Sequence, residues 1–118
     1  MKRSEYFYDF REDNLYLYKE KKAYGSIEFG ENIVIDFDKN LNIVALEFFN
    51  ASKVLSALSG KKITKKSLST IKETSLISER KGGLVIAFFT IKMSEFAIEE
   101  KLSLQDIKYK SPVLVACK

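Results

Sequence analysis

Two apolar segments that flank a polar turn, followed at once by a helix start, constrain this fold more than any other feature. The segments run from residue 33 to 37 and from residue 43 to 49, and Lys39 to Leu41 turns the chain between them. In the first, every second side chain is apolar, a period of two that is typical of a half-buried β-strand. We therefore predict an antiparallel hairpin here. Asn50 then predicts the N-cap of a helix.

Length and composition indicate one domain, residues 1–118, with its own core. Of the residues, 46% are hydrophobic and 31% charged, and no apolar run approaches the roughly 20 residues that span a bilayer. Because the basic start, Met1 to Arg3, is not followed by an apolar segment, we expect a cytoplasmic protein without membrane contact.

The chain has no histidine, and Cys117 is its only cysteine. These absences exclude Ser-His-Asp and Cys-His catalysis and leave structural zinc without its usual ligands. We therefore predict no cofactor and assign no catalytic residue. An enzyme of this composition would depend on carboxylates, lysine or tyrosine.

Further strands are predicted on both sides of the helix. Tyr6–Tyr8, Leu15–Tyr18 and Ala23–Phe29 are rich in β-forming residues, and Gly30-Glu31 suits a two-residue turn with positive φ at glycine. With the central hairpin they predict an antiparallel meander of about five strands.

The C-terminal half has a helical start and then strand patterns. Thr64 is predicted to begin a second helix because Ile63 and Leu68 flank it at staple positions. Residues 76–92 predict a hairpin that turns at Gly82-Gly83. Residues 93–104 suit either a strand or a helix, and this choice stays open.

Two shorter features lie near the C-terminus. Ser103 to Asp106 resembles a capping box for a short final helix, and residues 113–117 are strand-like in composition. The predicted fold class is α+β, with the meander and first helix in residues 1–60. A helix and further strands in residues 61–118 share the same core.

The first half resembles a known family at several short motifs in the same order and spacing. These are Tyr8-Asp9, Asp13 to Leu17, Asp36 to Asp38, Ile43 to Glu47 and Ala51 to Lys53. They are similar to those of the prokaryotic family called domain of unknown function 2283, over roughly residues 6–58 and not over residues 61–118. Leu41 replaces the family's turn glycine, and Ala45 replaces the glycine before its Ile-Glu. The resemblance implies a fold and no agreed activity, and by analogy an antitoxin-like partner role.

The acidic turn has the ligand spacing of a calcium loop. Asp36, Asp38, Asn40 and Asn42 alternate, and Glu47 lies eleven residues after Asp36, as in the oxygen-ligand pattern of such loops. Leu41 stands where a calcium loop requires glycine, and no helix is predicted to enter the loop. The alternative is a hairpin turn whose Asp and Asn side chains bind local amides.

Basic residues are concentrated in the middle of the chain. Residues 53–81 contain eight Lys or Arg and two Glu, a balance of +6, whereas residues 1–52 contain seven basic and ten acidic residues, a balance of −3. Lysines at positions suited to nucleic-acid phosphates are Lys61, Lys62, Lys65, Lys66 and Lys72. A solvated helix face is the alternative.

Tyrosines are concentrated in the predicted first strands. Tyr6, Tyr8, Tyr16 and Tyr18 could pack in the fold, stack bases or form a protein interface. Because this half is acidic, we favour packing or a protein interface. The leading hypothesis is a non-enzymatic interaction module that binds itself, as a homodimer, or another protein. A nucleic-acid-associated protein is the alternative, and a carboxylate enzyme or calcium-binding hairpin comes third.

Overall fold

A computed structural model describes residues 3–20 and 22–105. Within these residues the chain forms eight antiparallel strands and two short helices. The strands are β1 (Arg3–Asp9), β2 (Asn14–Tyr18), β3 (Gly25–Glu28), β4 (Ile33–Phe37), β5 (Ile43–Phe48), β6 (Glu73–Lys81), β7 (Leu84–Lys92) and β8 (Ala97–Gln105). The helices are α1 (Ala51–Ser59) and α2 (Lys65–Leu68). The α+β class therefore fits broadly, although the fold is dominated by its sheet.

The strand order is β3-β4-β5-β2-β1-β6-β7-β8, which is not a simple meander. β5 lies between β4 and β2, and β3 lies at the edge rather than beside β2. β2 lies between β1 and β5, and its Leu15 and Leu17 side chains are at most 1% exposed. β3 offers only the partly buried Ile27 to the core, which suits an edge.

The turn between β3 and β4 is one residue longer than predicted. Gly30 has φ 74°, as expected for glycine there. However, the backbone N–H of Phe29 donates to the carbonyl oxygen of Ile33, so three residues lie inside the turn.

Both helices begin where the sequence predicts, but only α2 is capped by the side chain of its own N-cap residue. Thr64 is the N-cap of α2, and its hydroxyl accepts from the backbone N–H of Ser67 in a capping box. Asn50 occupies the N-cap position of α1 with φ 54°, and its side chain makes no capping hydrogen bond. Asp13 provides that bond from another part of the chain. Neither helix is long and apolar enough to cross a membrane.

The C-terminal half of the described chain is a three-stranded unit. β6 and β7 meet at Gly82-Gly83, and β7 is central, which explains its apolar character on both faces. Residues 97–105 form a strand, which decides the open choice for most of that segment. The prediction of a helix from Ser103 is therefore wrong for Ser103 to Gln105, because their side chains alternate in exposure along β8. Asp106 and the predicted strand at 113–117 lie outside the described residues.

The strands of both halves contribute to one apolar cluster. The rings of Phe48 in β5 and Phe89 in β7 lie 5.3 Å apart between centroids. The sheet curves around this core, since the Arg80 guanidinium donates to the carbonyl oxygen of Asn40 at 2.8 Å. We call the sheet side that faces the core the inner face and the opposite side the outer face.

Candidate functional site

The predicted calcium ligands are not gathered around one point. Asp38 turns back on its own loop, where one carboxylate oxygen accepts from the backbone N–H groups of Asn40 and Asn42, each at 2.9 Å. The hydrogen bond from the backbone N–H of Asn42 is the main cause that lowers the pKa of Asp38. This is the Asx-type turn of the alternative interpretation. Leu41 has φ 66° in the same turn.

Asp36 and Glu47 instead lie side by side on the outer face. Asp36 is 5% exposed, and its carboxylate accepts a hydrogen bond of 2.6 Å from the Ser26 hydroxyl. Burial, the charge of Asp36 and a hydrogen bond to Asp36 raise the pKa of Glu47. The Glu47 carboxyl therefore holds its proton more tightly than an isolated glutamate does.

The Asp36–Glu47 pair adds no support to the metal hypothesis. Within residues 3–20 and 22–105, no group of three or more His, Cys, Asp or Glu side chains could hold a metal ion. The calcium interpretation of Asp36, Asp38, Asn40 and Glu47 stays a prediction.

Strand register places aromatic residues next to these carboxylates. Residues directly opposite each other in antiparallel strands share a face, and Tyr16 lies opposite Phe7 on one side and Glu47 on the other. Tyr18 is on the same face, and its ring stacks on that of Tyr16 with centroids 4.8 Å apart. Burial and the charges of Asp36 and Glu47 raise the pKa of Tyr16.

Cross-strand pairing places ten residues of β1 to β5 in two rows on the outer face, one through Tyr16 and one through Tyr18. We call these ten residues the aromatic-acidic face. Its members are Glu5, Phe7, Tyr16, Tyr18, Ser26, Glu28, Val34, Asp36, Ala45 and Glu47. Four of the ten are carboxylates, and none is lysine or arginine. Phe7 is 63% exposed, the most open apolar side chain of the set.

The structure separates the four predicted interface tyrosines into two pairs. Tyr16 and Tyr18 belong to the aromatic-acidic face. Tyr6 and Tyr8 lie on the inner side, where the Tyr6 hydroxyl donates to the carbonyl oxygen of Ile71 at 2.9 Å and the Tyr8 hydroxyl to Asp13. Phe7 lies between them in the chain, and its side chain is on the outer face. The place of Phe7 on this face follows from the register that pairs Phe7 with Tyr16. The sequence alone does not give the register of the two strands.

Asp13 connects the first turn to the first helix. One carboxylate oxygen accepts from the Tyr8 hydroxyl at 2.6 Å and the other from the Ser52 hydroxyl at 2.7 Å. The backbone N–H of Ser52 lies 3.2 Å from both oxygens, and the N–H of Ala51 donates to the Asp13 carbonyl oxygen. Tyr8, Asp13 and Ser52 all belong to the family-like motifs. Their geometry fits a structural role, since Asp13 caps α1 in place of Asn50.

The five predicted nucleic-acid lysines lie on and around α2. The Lys65 ammonium lies 4.7 Å from the centroid of the Phe10 ring, and the Lys61 ammonium 5.9 Å from that of Phe96. Lys66 lines a cavity of roughly 270 Å³ between α2 and the β7–β8 connection. Lys62 and Lys72 are exposed. We call the set Lys61, Lys62, Lys65, Lys66 and Lys72 the lysine ridge.

Comparison with known proteins agrees with the motifs and adds no activity. Residues 5–52 match the family described as Protein of unknown function (DUF2283), which confirms the resemblance over that segment. Over 50 residues the chain is 42% identical to an uncharacterised protein of Methanocaldococcus jannaschii. That match covers 42% of this chain and 42% of the relative, so the chain spans less than half of the relative's length. No solved structure matches the chain.

Proposed function

We propose that this chain is a protein-interaction module whose aromatic-acidic face binds a basic segment of another protein. The main supporting observation is the combination of the exposed Phe7 ring, the stacked Tyr16 and Tyr18 rings and the adjacent Asp36–Glu47 pair. Tyrosine and phenylalanine are enriched at protein interfaces, where they contribute large apolar area at little entropic cost.

Charge selects the kind of partner. Lysine and arginine side chains interact favourably with the faces of aromatic rings and with carboxylates, and this face offers both kinds of group together. A cation beside Glu47 also offsets the repulsion between the neighbouring Glu47 and Asp36 carboxylates. A basic partner therefore complements both features of the face.

A symmetric homodimer through this face is disfavoured by the same charges. Two copies packed face to face would bring the four carboxylates of one copy against those of the other, with no basic residue within the face to compensate. The occupant that we propose is thus a different protein, and self-association through this face is the competing outcome.

A labelled peptide tests the proposal. The probe is a fluorescein-labelled 12-residue peptide with four arginines spaced by apolar residues, and its control has glutamine in place of arginine. We expect fluorescence anisotropy to detect binding of the basic probe only, weakened by added salt. We also expect weaker binding at pH 4.5 than at pH 7, because burial and the charge of Asp36 raise the pKa of Glu47 and its carboxyl therefore loses more of its negative charge at the lower pH.

Matched variants locate the binding surface. Phe7→Ser is expected to weaken binding at least about fivefold, the effect of losing roughly 1 kcal/mol at an interface. Leu84→Ser is the control, because Leu84 is also an exposed apolar residue, 42% open, but lies at the β6–β7 turn. Equal loss in both variants, or equal binding of the glutamine peptide, contradicts the proposal. A dimer in sedimentation that Phe7→Ser dissociates would assign the face to a second copy instead.

A further inference from the structure

The cavity between α2 and the β7–β8 connection lies outside the aromatic-acidic face and has an apolar wall and a polar wall. Its apolar wall is formed by Met93 and Phe96, and its polar wall by Ser94, Thr70 and Lys66. Thr70 fixes its shape, because the Thr70 hydroxyl accepts from the backbone N–H of Ser94 at 3.1 Å and so ties the end of α2 to the connection.

Two lysines lie at or near this cavity. The Lys61 ammonium lies 5.9 Å from the Phe96 ring centroid. Lys66 is exposed and lines the cavity. One carboxylate, Glu95, also lines the cavity and opposes an anionic ligand.

We propose that this cavity and the lysine ridge bind single-stranded nucleic acid, with one unpaired base against Phe96 and the neighbouring phosphates on Lys61 and Lys66. An aromatic ring flanked by positive charge is the arrangement with which proteins bind single strands without reading sequence. The cavity volume of roughly 270 Å³ suits one base. A duplex keeps its bases stacked and cannot present one to the ring.

The affinity measurement uses a 5′-fluorescein-labelled dodecamer of thymidine at 50 mM salt. We expect saturable binding whose logarithmic dependence on salt has a slope of about −1.4, the value for the two proposed phosphate contacts on a single strand. A 12-base-pair duplex of mixed sequence is expected to bind at least about threefold more weakly. Absence of binding to the single strand, or equal or tighter binding of the duplex, overturns the proposal.

Variants separate the role of the two lysines from that of the Phe96 ring, and they test whether the negative charge of Glu95 opposes binding. Lys61→Gln/Lys66→Gln is expected to weaken binding at least about fivefold and to make the salt slope shallower by about 1.4 for the two lost contacts. Phe96→Leu, which keeps an apolar side chain for packing, is expected to weaken binding at least about fivefold with the slope unchanged. Glu95→Gln is expected to strengthen binding, because it removes the opposing charge.

Lys39→Gln is the control, since Lys39 is exposed in the β4–β5 turn, away from the cavity. Circular dichroism confirms that each variant is folded. An effect of Lys39→Gln as large as that of the lysine pair, or no effect of the lysine pair and of Phe96→Leu, contradicts the site. Weaker binding by Glu95→Gln contradicts it as well.

Discussion

Replacing Asp13 with alanine removes the group that joins the β1–β2 turn to the start of α1. Loss of the helix cap costs about 1 kcal/mol. The hydrogen bonds from the Tyr8 and Ser52 hydroxyls contribute about 0.5–1 kcal/mol each, after allowance for their partial exposure to water. Alanine also tolerates the φ of 58° less well than aspartate, at a cost of a few tenths of a kcal/mol. The sum is about 3 kcal/mol of unfolding free energy.

Urea denaturation measures this loss directly. With about 4 °C of melting temperature per kcal/mol for a chain of this size, the thermal midpoint is expected to fall by about 12 °C. Ser52→Ala removes only one of the hydroxyl contacts and is expected to cost about 1 kcal/mol. Because Tyr8 and Ser52 donate to the same carboxylate, the double variant Tyr8→Phe/Ser52→Ala is expected to deviate from additivity by at least about 0.5 kcal/mol.

Glu12→Ala is the matched control for this prediction. Glu12 is the neighbouring carboxylate in the same turn and is exposed, so its loss is expected to change stability by no more than about 0.5 kcal/mol. If Asp13→Ala cost less than about 1 kcal/mol, or no more than Glu12→Ala, the capping role of Asp13 would be refuted.

Three further changes test the carboxyl pair, the turn and the core. Because the folded-state pKa of Glu47 is raised above its unfolded value, stability is lost as pH rises through the folded pKa. Glu47→Gln, which removes the repulsion from Asp36, is expected to stabilise by about 0.5 kcal/mol at pH 7 but not at pH 4. A lower melting temperature of this variant at pH 7 contradicts the pair. Leu41→Gly is expected to raise stability by about 1 kcal/mol in urea, because glycine adopts the φ of 66° without strain; a loss would mean that Leu41 packing outweighs strain. Phe89→Ala is expected to cost about 3–5 kcal/mol in the same assay, because Phe89 is 1% exposed. Phe88→Ala is expected to cost clearly less, because Phe88 is only partly buried.

Local chemistry made several elements predictable from the sequence. Thr64 caps α2 because its own side chain and that of Ser67 satisfy the first backbone amides, a contact within four residues. The β6–β7 turn is likewise set by Gly82 and Gly83, which both have positive φ. Interactions of this range depend on residue type and spacing, which a sequence shows directly.

Long-range pairing explains what the sequence did not reveal. The cap of α1 comes from Asp13, 38 residues before the first residue of the helix, and no local pattern identifies it. The strand order failed for the same reason, since β5 pairs with β2 across two intervening strands. The aromatic-acidic face depends on that pairing, because only this register brings Tyr16 between Phe7 and Glu47.

Chemical-shift mapping tests the proposed interaction surface most directly. The ¹⁵N-labelled chain is titrated with the four-arginine peptide at pH 7, and backbone amide shifts are followed along the sequence. We expect the largest shifts in β1, β2, β4 and β5 around Phe7, Tyr16, Val34 and Glu47, and none from the glutamine peptide. Shifts confined to other strands, or no shift at peptide concentrations up to about 1 mM, where even a Kd near the weak limit of specific binding gives a response, would contradict the proposed function.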